Sequence, residues 1–343
     1  MAKSSQPVLK LTLLLALHLL VSVQLRAQSS AIAQVDFARA DSVARLYPGY
    51  SLANLNDLSH RLTQPFTNDL EKFRAIYRWV CNNIDNDFEY FERNQAKRKK
   101  LLNDADALDD WNRKFAPQVF KRLLQQHSTV CTGYAYLIRE LAYHAGIESV
   151  IVDGYGRNAE ANIGGPGVPN HSWNAVKIND QWYLCDATWS SGTIDTQQGL
   201  FIKQFREAYF LTPPELFVRN HYPLDTRWLL MEEPSSLSSY LNGPLVYNDG
   251  IGREILPVAP ATFHVTATRK VPITFRFSAP TQPEELTFQV VQGSHVLDLS
   301  PKVTPEADGL YNITHTFPAR GTYAVHVRTD GKYLFTYEVR VGK

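Results

Sequence analysis

Three residues of this chain have the types and spacing for nucleophilic catalysis: Cys131, His171 and Asp186. Cys131 opens a helical pattern, with Ala135, Leu137, Ile138, Leu141 and Ala142 on one apolar face and Ala145-Gly146 at its close. A thiol at that position feels the positive end of the helix dipole. With a histidine beside it, its pKa can fall from about 8.5 into the range of about 3.5–7.5. His171 and Asp186 lie 15 residues apart, and an acid there can fix the imidazole tautomer and favour the imidazolium. Such a set attacks an amide carbonyl, holds the acyl group as a thioester and releases it to water or to an amine. The tetrahedral oxyanion needs donors. The Cys131 backbone N–H is one candidate, and Gln125, Gln126 or His127 is a candidate second.

The elements that must position these groups follow from the pattern. HSWNAVKI and QWYLCDAT alternate on either side of Asn179-Asp180, which carry turn chemistry, so residues 171–188 read as a hairpin. With a two-residue loop, Asp186 falls opposite Trp173 and His171 opposite Thr188. His171 and Asp186 are then diagonal neighbours on one face, about 7–8 Å apart at the backbone. A one-residue slip would put them on opposite faces. Cys185 has the other parity and reads as packing, as do Trp173, Trp182 and Trp189. A β-branched strand at 149–152 and a loop rich in Gly, Asn and Pro at 157–170 bring the chain from the helix to His171. Upstream, Thr67-Asn68-Asp69 offers an N-cap for a helix whose apolar stripe is Leu70, Phe73, Ile76, Tyr77, Val80, Cys81 and Ile84, so Cys81 reads as a buried small hydrophobe. Residues 92–110 are highly charged and read as a solvated loop or insertion. His144, His221 and Tyr134 have no spacing that assigns them a role.

Composition narrows the class. A net charge of +1 over 343 residues gives no argument for a nucleic-acid or anionic-membrane partner, and 44% hydrophobic residues support a substantial core. Lys3 and Lys10 precede an apolar run from Leu11 to Val23, with small residues at Ala27, Ala31 and Ala33. That pattern predicts a signal peptide over 1–27, an exported protein that is secreted or periplasmic, and no membrane contact once the signal is removed. Three cysteines leave at least one thiol free or paired elsewhere. Cys131, His171 and Asp186 lack the fourth ligand and the close ligand spacing of a zinc site, so no metal and no organic cofactor is implied. From Phe263 onward short alternating strands recur between turn residues, including Asp330-Gly331, and Tyr323 fits a tyrosine corner. This predicts a first domain over 34–250 and an all-β, immunoglobulin-like sandwich over 260–343.

Three ordered segments, FRAIYRWVCNNIDND, VCTGYAYLIRELAYHAGI and HSWNAVKINDQWYLCDATW, resemble those of the transglutaminase-like superfamily of papain-related folds. The downstream YFLTPPELFVRNHYPLDTRWLL is similar to the branch that includes kyphoscoliosis peptidase. The resemblance covers roughly residues 66–247. It implies an α+β fold, with a cysteine-bearing helix packed on an antiparallel sheet. It also implies Cys131 as nucleophile, His171 as general base or acid, Asp186 as orienting acid, and a protein or peptide substrate. A non-catalytic binding or scaffold module of the cell envelope is the alternative reading.

Overall fold

The computed structural model describes residue 32 and residues 35–343, apart from 102–103 and 196–197. The predicted signal peptide lies outside the described residues. No helix among the described residues is long and apolar enough to cross a membrane.

Three helices open the chain: α1 (Ala38–Arg45), α2 (Leu55–Thr63) and α3 (Asp69–Asn83). The Asn68 side chain caps α3 by accepting from the Glu71 N–H. Phe73, Ile76, Tyr77, Val80 and Cys81 are buried along α3, as their spacing predicts. The charged region is helical rather than a loop: α4 (Phe88–Lys100) and α5 (Ala105–Gln126) form a helical hairpin. Asp87 and Asp104 cap these helices, while Glu89–Arg93 and Asp110–Lys114 pair one turn apart on the solvated face. A sparse aromatic seam of Tyr90, Phe115 and Val119, with Trp111, holds the hairpin to Val130, the residue before Cys131. Charge concealed that seam in the sequence.

Helix α6 (Cys131–His144) packs on a four-stranded antiparallel sheet. Its strands are β1 (Ser149–Gly156), β2 (His171–Ile178), β3 (Gln181–Cys185) and β4 (His221–Pro223), in the order β3-β2-β1-β4. The β2–β3 hairpin has the predicted register, from Ile178 opposite Gln181 to Asn174 opposite Cys185. Asn179 and Asp180 both take positive φ, at 50° and 62°, the conformation of a type I′ turn. The pairing ends at Cys185. Asp186 does not sit in the ladder opposite Trp173, nor Thr188 opposite His171. Asp186 instead begins a short helix, α7 (Ala187–Ser191), because its carboxylate satisfies the first N–H groups of that turn.

The loop from β1 to β2 is pinned from inside. Arg157 is 2% exposed, and its guanidinium donates to the carbonyls of Asn162, Pro244 and Gly243. Burial without a carboxylate partner pulls its pKa down to about 10.

After short helices at Leu237–Asn242 and Asn248–Gly252, the regular elements are all strands. One sheet holds β5 (Leu256–Ala259), β7 (Pro272–Ser278), β10 (Val303–Pro305) and β11 (Leu310–Thr316). The other holds β6 (His264–Thr268), β8 (Thr287–Gln292), β9 (His295–Leu299), β12 (Gly321–Thr329) and β13 (Lys332–Gly342). The Asp330-Gly331 turn joins β12 to β13, and the Tyr323 hydroxyl donates to the Ala319 carbonyl. Strands β5, β9 and β10 are additional to those the alternation marked. Phe275 meets Phe288 and Tyr337 across the two sheets.

One feature of the core matters for the site. On β2, Val176 and Ile178 face the helical core with Leu137, Ile138 and Leu141. Trp173 and Ala175 face the other way and share a core with Phe275, Phe288 and Tyr337 of the β region. The hairpin is therefore covered on both faces.

Candidate active site

The site lies where β2 begins. Cys131 is the first residue of α6, with Val130 at the N-cap in an extended conformation. Two groups of β2 act on the sulfur: the His171 ring and the Ser172 backbone N–H both draw the thiol pKa down. Burial pushes the thiol pKa up, but the His171 hydrogen bond, the imidazolium charge and the Ser172 N–H outweigh it. The pKa falls below that of an ordinary thiol.

His171 Nε2 lies 2.7 Å from Asp186 Oδ2, which leaves Nδ1 for the sulfur. Burial alone would discharge the ring, but the Asp186 carboxylate and the sulfur raise its pKa to about 10. Both shifts act in the direction of a thiolate–imidazolium pair. Asp186 is 1% exposed and uses both oxygens. Oδ1 accepts the Thr188 and Trp189 N–H groups at 2.8 and 3.3 Å, and Oδ2 faces the imidazole. Desolvation opposes its charge, yet the neighbouring histidines hold its pKa well below the usual carboxylate value. Capping a helix and orienting a histidine are thus compatible in one residue, because they use different oxygens.

Neighbouring elements fix the ring. Trp189 stacks on His171 with centroids 5.0 Å apart, and Gly156 of β1 lies under it. A Cβ at Gly156 would sit 2.9 Å from His171 Cβ and 3.1 Å from Cγ, so strand β1 approaches this closely only without a side chain there. Gln95 of the helical hairpin reaches the Asn170 carbonyl, one residue before His171, at 3.4 Å.

Of the three sequence-predicted residues, His171 and Asp186 meet at 2.7 Å, and Cys131 at the start of α6 lies within the electrostatic reach of both. Cys81 and Cys185 are buried free thiols, and burial pushes Cys81 up to about 12 and Cys185 well above an ordinary thiol. Of the candidates for the second oxyanion donor, Gln125 and Gln126 are exposed at the end of α5, and the His127 ring lies edge-on to Trp79 with centroids 6.5 Å apart. The sequence reading missed His221. Its Nε2 lies 3.1 Å from the same Asp186 Oδ2, and its side chain is fully buried. The only sequence signal was its place in FVRNHYPLDTRWLL, and a three-residue strand carries too little periodicity to assign a face.

Among the described residues, His171, Asp186 and His221 are the one group whose metal-ligating atoms converge, within 4.8 Å of one another. Both Nε2 atoms stand at hydrogen-bond distance, 2.7 and 3.1 Å, from a single oxygen. Ligands of a tetrahedral zinc at about 2.0–2.1 Å would lie roughly 3.3 Å apart. The donor set fits a hydrogen-bonded carboxylate better than a metal.

Comparison with known proteins agrees with this architecture. Residues 56–187, which contain all three predicted residues, match the family model of the transglutaminase-like superfamily. The chain is 32% identical to mouse kyphoscoliosis peptidase over 232 residues, covering 67% of this chain and 32% of that protein. It is 31% identical to the human protein over the same shares. It is 26% identical to Hillarin of Drosophila melanogaster over 228 residues, 62% of this chain and 25% of that one. The chain thus spans about a third of the length of the kyphoscoliosis peptidases it matches. By its matched domain and these relatives, the chain belongs to the transglutaminase-like superfamily, on its kyphoscoliosis peptidase-like branch.

Proposed function

We propose that this protein is a thiol-dependent enzyme acting on amide bonds of a protein or peptide, as a peptidase, an amidase or a protein-glutamine acyltransferase. Cys131 is the nucleophile, His171 the general acid and base, and Asp186 the orienting acid. The observation that carries this reading is His171, which meets Asp186 at 2.7 Å and whose ring draws the Cys131 thiol pKa down. In the mechanism, the Cys131 thiolate adds to the amide carbonyl, and the oxyanion forms beside the N-terminus of α6, where the Cys131 backbone N–H is a donor. His171 gives its proton to the departing amine, leaving an acyl thioester. It then takes a proton from water, giving hydrolysis, or from an incoming amine, giving a cross-link. Asp186 keeps the ring oriented and its charge balanced through both halves.

We also read the C-terminal sheets as an immunoglobulin-like sandwich over 260–343. Two sheets with one core and the Tyr323 hydroxyl bonded back to Ala319 support that reading. The basic and apolar pattern over 1–27 supports export to the periplasm or the medium.

The test is mass-spectrometric profiling of peptide libraries with and without a primary amine, using wild type and Cys131→Ala. The reading expects products in wild type that are absent from Cys131→Ala. Amine incorporation would identify a transferase, and cleavage or deamidation a hydrolase. Identical profiles for the two proteins would remove the enzymatic reading and favour a binding module.

A further inference from the structure

His221 lies beyond the three predicted residues, on a strand separated from them in sequence, yet it aims Nε2 at the oxygen that receives His171. Its ring is boxed by aromatic faces. Phe217 stacks on it at 4.1 Å with planes 26° apart, and Trp189 lies 4.4 Å away. At Nδ1 stands the Asn220 amide oxygen, 2.7 Å away; Asn220 Nδ2 donates to the Tyr209 hydroxyl at 2.7 Å, and that hydroxyl donates to Asn248 Oδ1. Every member up to Tyr209 is buried.

We propose that His221 is a positioning residue for the candidate catalytic acid: as a neutral imidazole it donates Nε2–H to Asp186 Oδ2 and fixes that oxygen in place for His171. This inference rests on the functional reading above. A neutral imidazole has one N–H, and two acceptors flank this ring. The carboxylate is the stronger acceptor, so the proton belongs on Nε2. The Nε2–H tautomer then requires the Asn220 and Asn248 amides to be turned end for end from their placement, which fills the same space. Asn220 then offers its N–H to Nδ1 and accepts from the Tyr209 hydroxyl, and Asn248 donates to Tyr209, so one directional chain ends on Asp186.

The surroundings favour the neutral ring. Burial, together with the His171 ring centred 5.3 Å away, pulls the His221 pKa down to about 4. Tyr77, Tyr134, Tyr209, Cys81 and Cys185 also lie within the field of Asp186, but burial raises the pKa of all five. Near neutral pH the charge on Asp186 is therefore balanced by His171 and hydrogen-bonded by His221.

The test uses the full chain with His221→Phe, which keeps a flat apolar ring but removes the donor, and His221→Gln, which restores an N–H near the Nε2 position. Alkylation of Cys131 by iodoacetamide is followed against pH, and thermal melts establish folding. Asp186 without its second donor holds its charge less well and supports the imidazolium less. His221→Phe should therefore move the acid limb of the profile upward and slow alkylation near pH 6 roughly tenfold, the equivalent of one pKa unit. His221→Gln should recover most of that loss. A Phe variant with the wild-type profile, or a folded Gln variant as impaired as Phe, would overturn the proposal, since packing alone predicts no recovery by a donor. Nitrogen-15 spectra of the histidine side chains of wild type separate this inference from the functional reading. His221 should show a neutral Nε2–H tautomer at neutral pH whether or not Cys131 proves reactive, and an Nδ1–H tautomer or an imidazolium would also overturn the proposal.

Discussion

At the residue scale, charge and hydrogen bonding decide what Cys131 can do. A buried thiol whose desolvation is not outweighed is inert, and Cys81, which donates to the Ala187 carbonyl and is pushed up to about 12 by burial, is that case within the same molecule. Cys131 differs because an imidazole, a backbone N–H and a helix N-terminus converge on it. The pH dependence of turnover follows with a definite sign. The His171 pKa is raised to about 10, so the imidazolium persists through neutrality and is lost as pH rises through that value. The Cys131 pKa is lowered, so the thiolate survives to more acidic pH than an ordinary thiolate. Steady-state turnover should therefore show a plateau that ends on the alkaline side near pH 10, and a fall already complete by pH 8 would contradict the His171–Asp186 pairing. Asp186→Asn keeps the shape but loses the charge and mis-sets the tautomer. It should lower kcat by roughly 10³–10⁴-fold with little change in KM. The sequence marked Cys131, His171 and Asp186 because a helix start and a hairpin, both legible as repeating patterns, carry them. His221 was hidden because its contact with Asp186 spans 35 residues and belongs to no repeating pattern.

At the element scale, the β2–β3 hairpin and strand β1 set the geometry. The turn at Asn179-Asp180 fixed the register, and the register brought His171 toward Asp186. What the alternation could not show is where pairing stops. Asp186 leaves the ladder to cap α7, and this turns its second oxygen toward His171. The charged stretch 92–110 of the helical hairpin α4–α5 was misread as a loop or insertion for a related reason. Its stability rests on caps, charge pairs one turn apart and a few aromatic contacts, so it lacks a broad apolar stripe. The close approach of β1 gives a prediction. Gly156→Ala places a methyl against His171 Cβ and Cγ, so the ring must shift. The variant should melt within a few degrees of wild type yet lose at least about tenfold in kcat, in line with the steep dependence of catalysis on placement. Activity equal to wild type would mean that β1 does not hold the ring.

At the scale of the whole molecule, the C-terminal β region supports the sheet that carries the site. Trp173, Ala175 and Leu184 of the hairpin share a core with Phe275, Phe288 and Tyr337. This was partly legible: β2 is apolar on both faces, with Trp173 and Ala175 on one and Val176 and Ile178 on the other, which calls for two covering layers. The sequence pattern did not say which later segment supplies the second layer, because that contact is non-local. Phe275 is fully buried beneath this interface. Phe275→Ala should cost about 3–5 kcal/mol of stability, measured by urea unfolding, and should lower activity at temperatures where the protein stays folded. A variant that loses stability but keeps full activity would show that the β region supports the fold without steadying the site.

The account as a whole stands on an activated sulfur at Cys131, and the most direct measurement is the pH dependence of its alkylation by iodoacetamide in the wild-type protein, read residue by residue by mass spectrometry. Cys131 should label rapidly at pH 6–7, with its half-maximal rate well below the free-thiol value of about 8.5, while Cys81 and Cys185 stay unlabelled in their buried positions. A Cys131 that labels only as pH climbs through 8.5, or no faster than the other two, would contradict it.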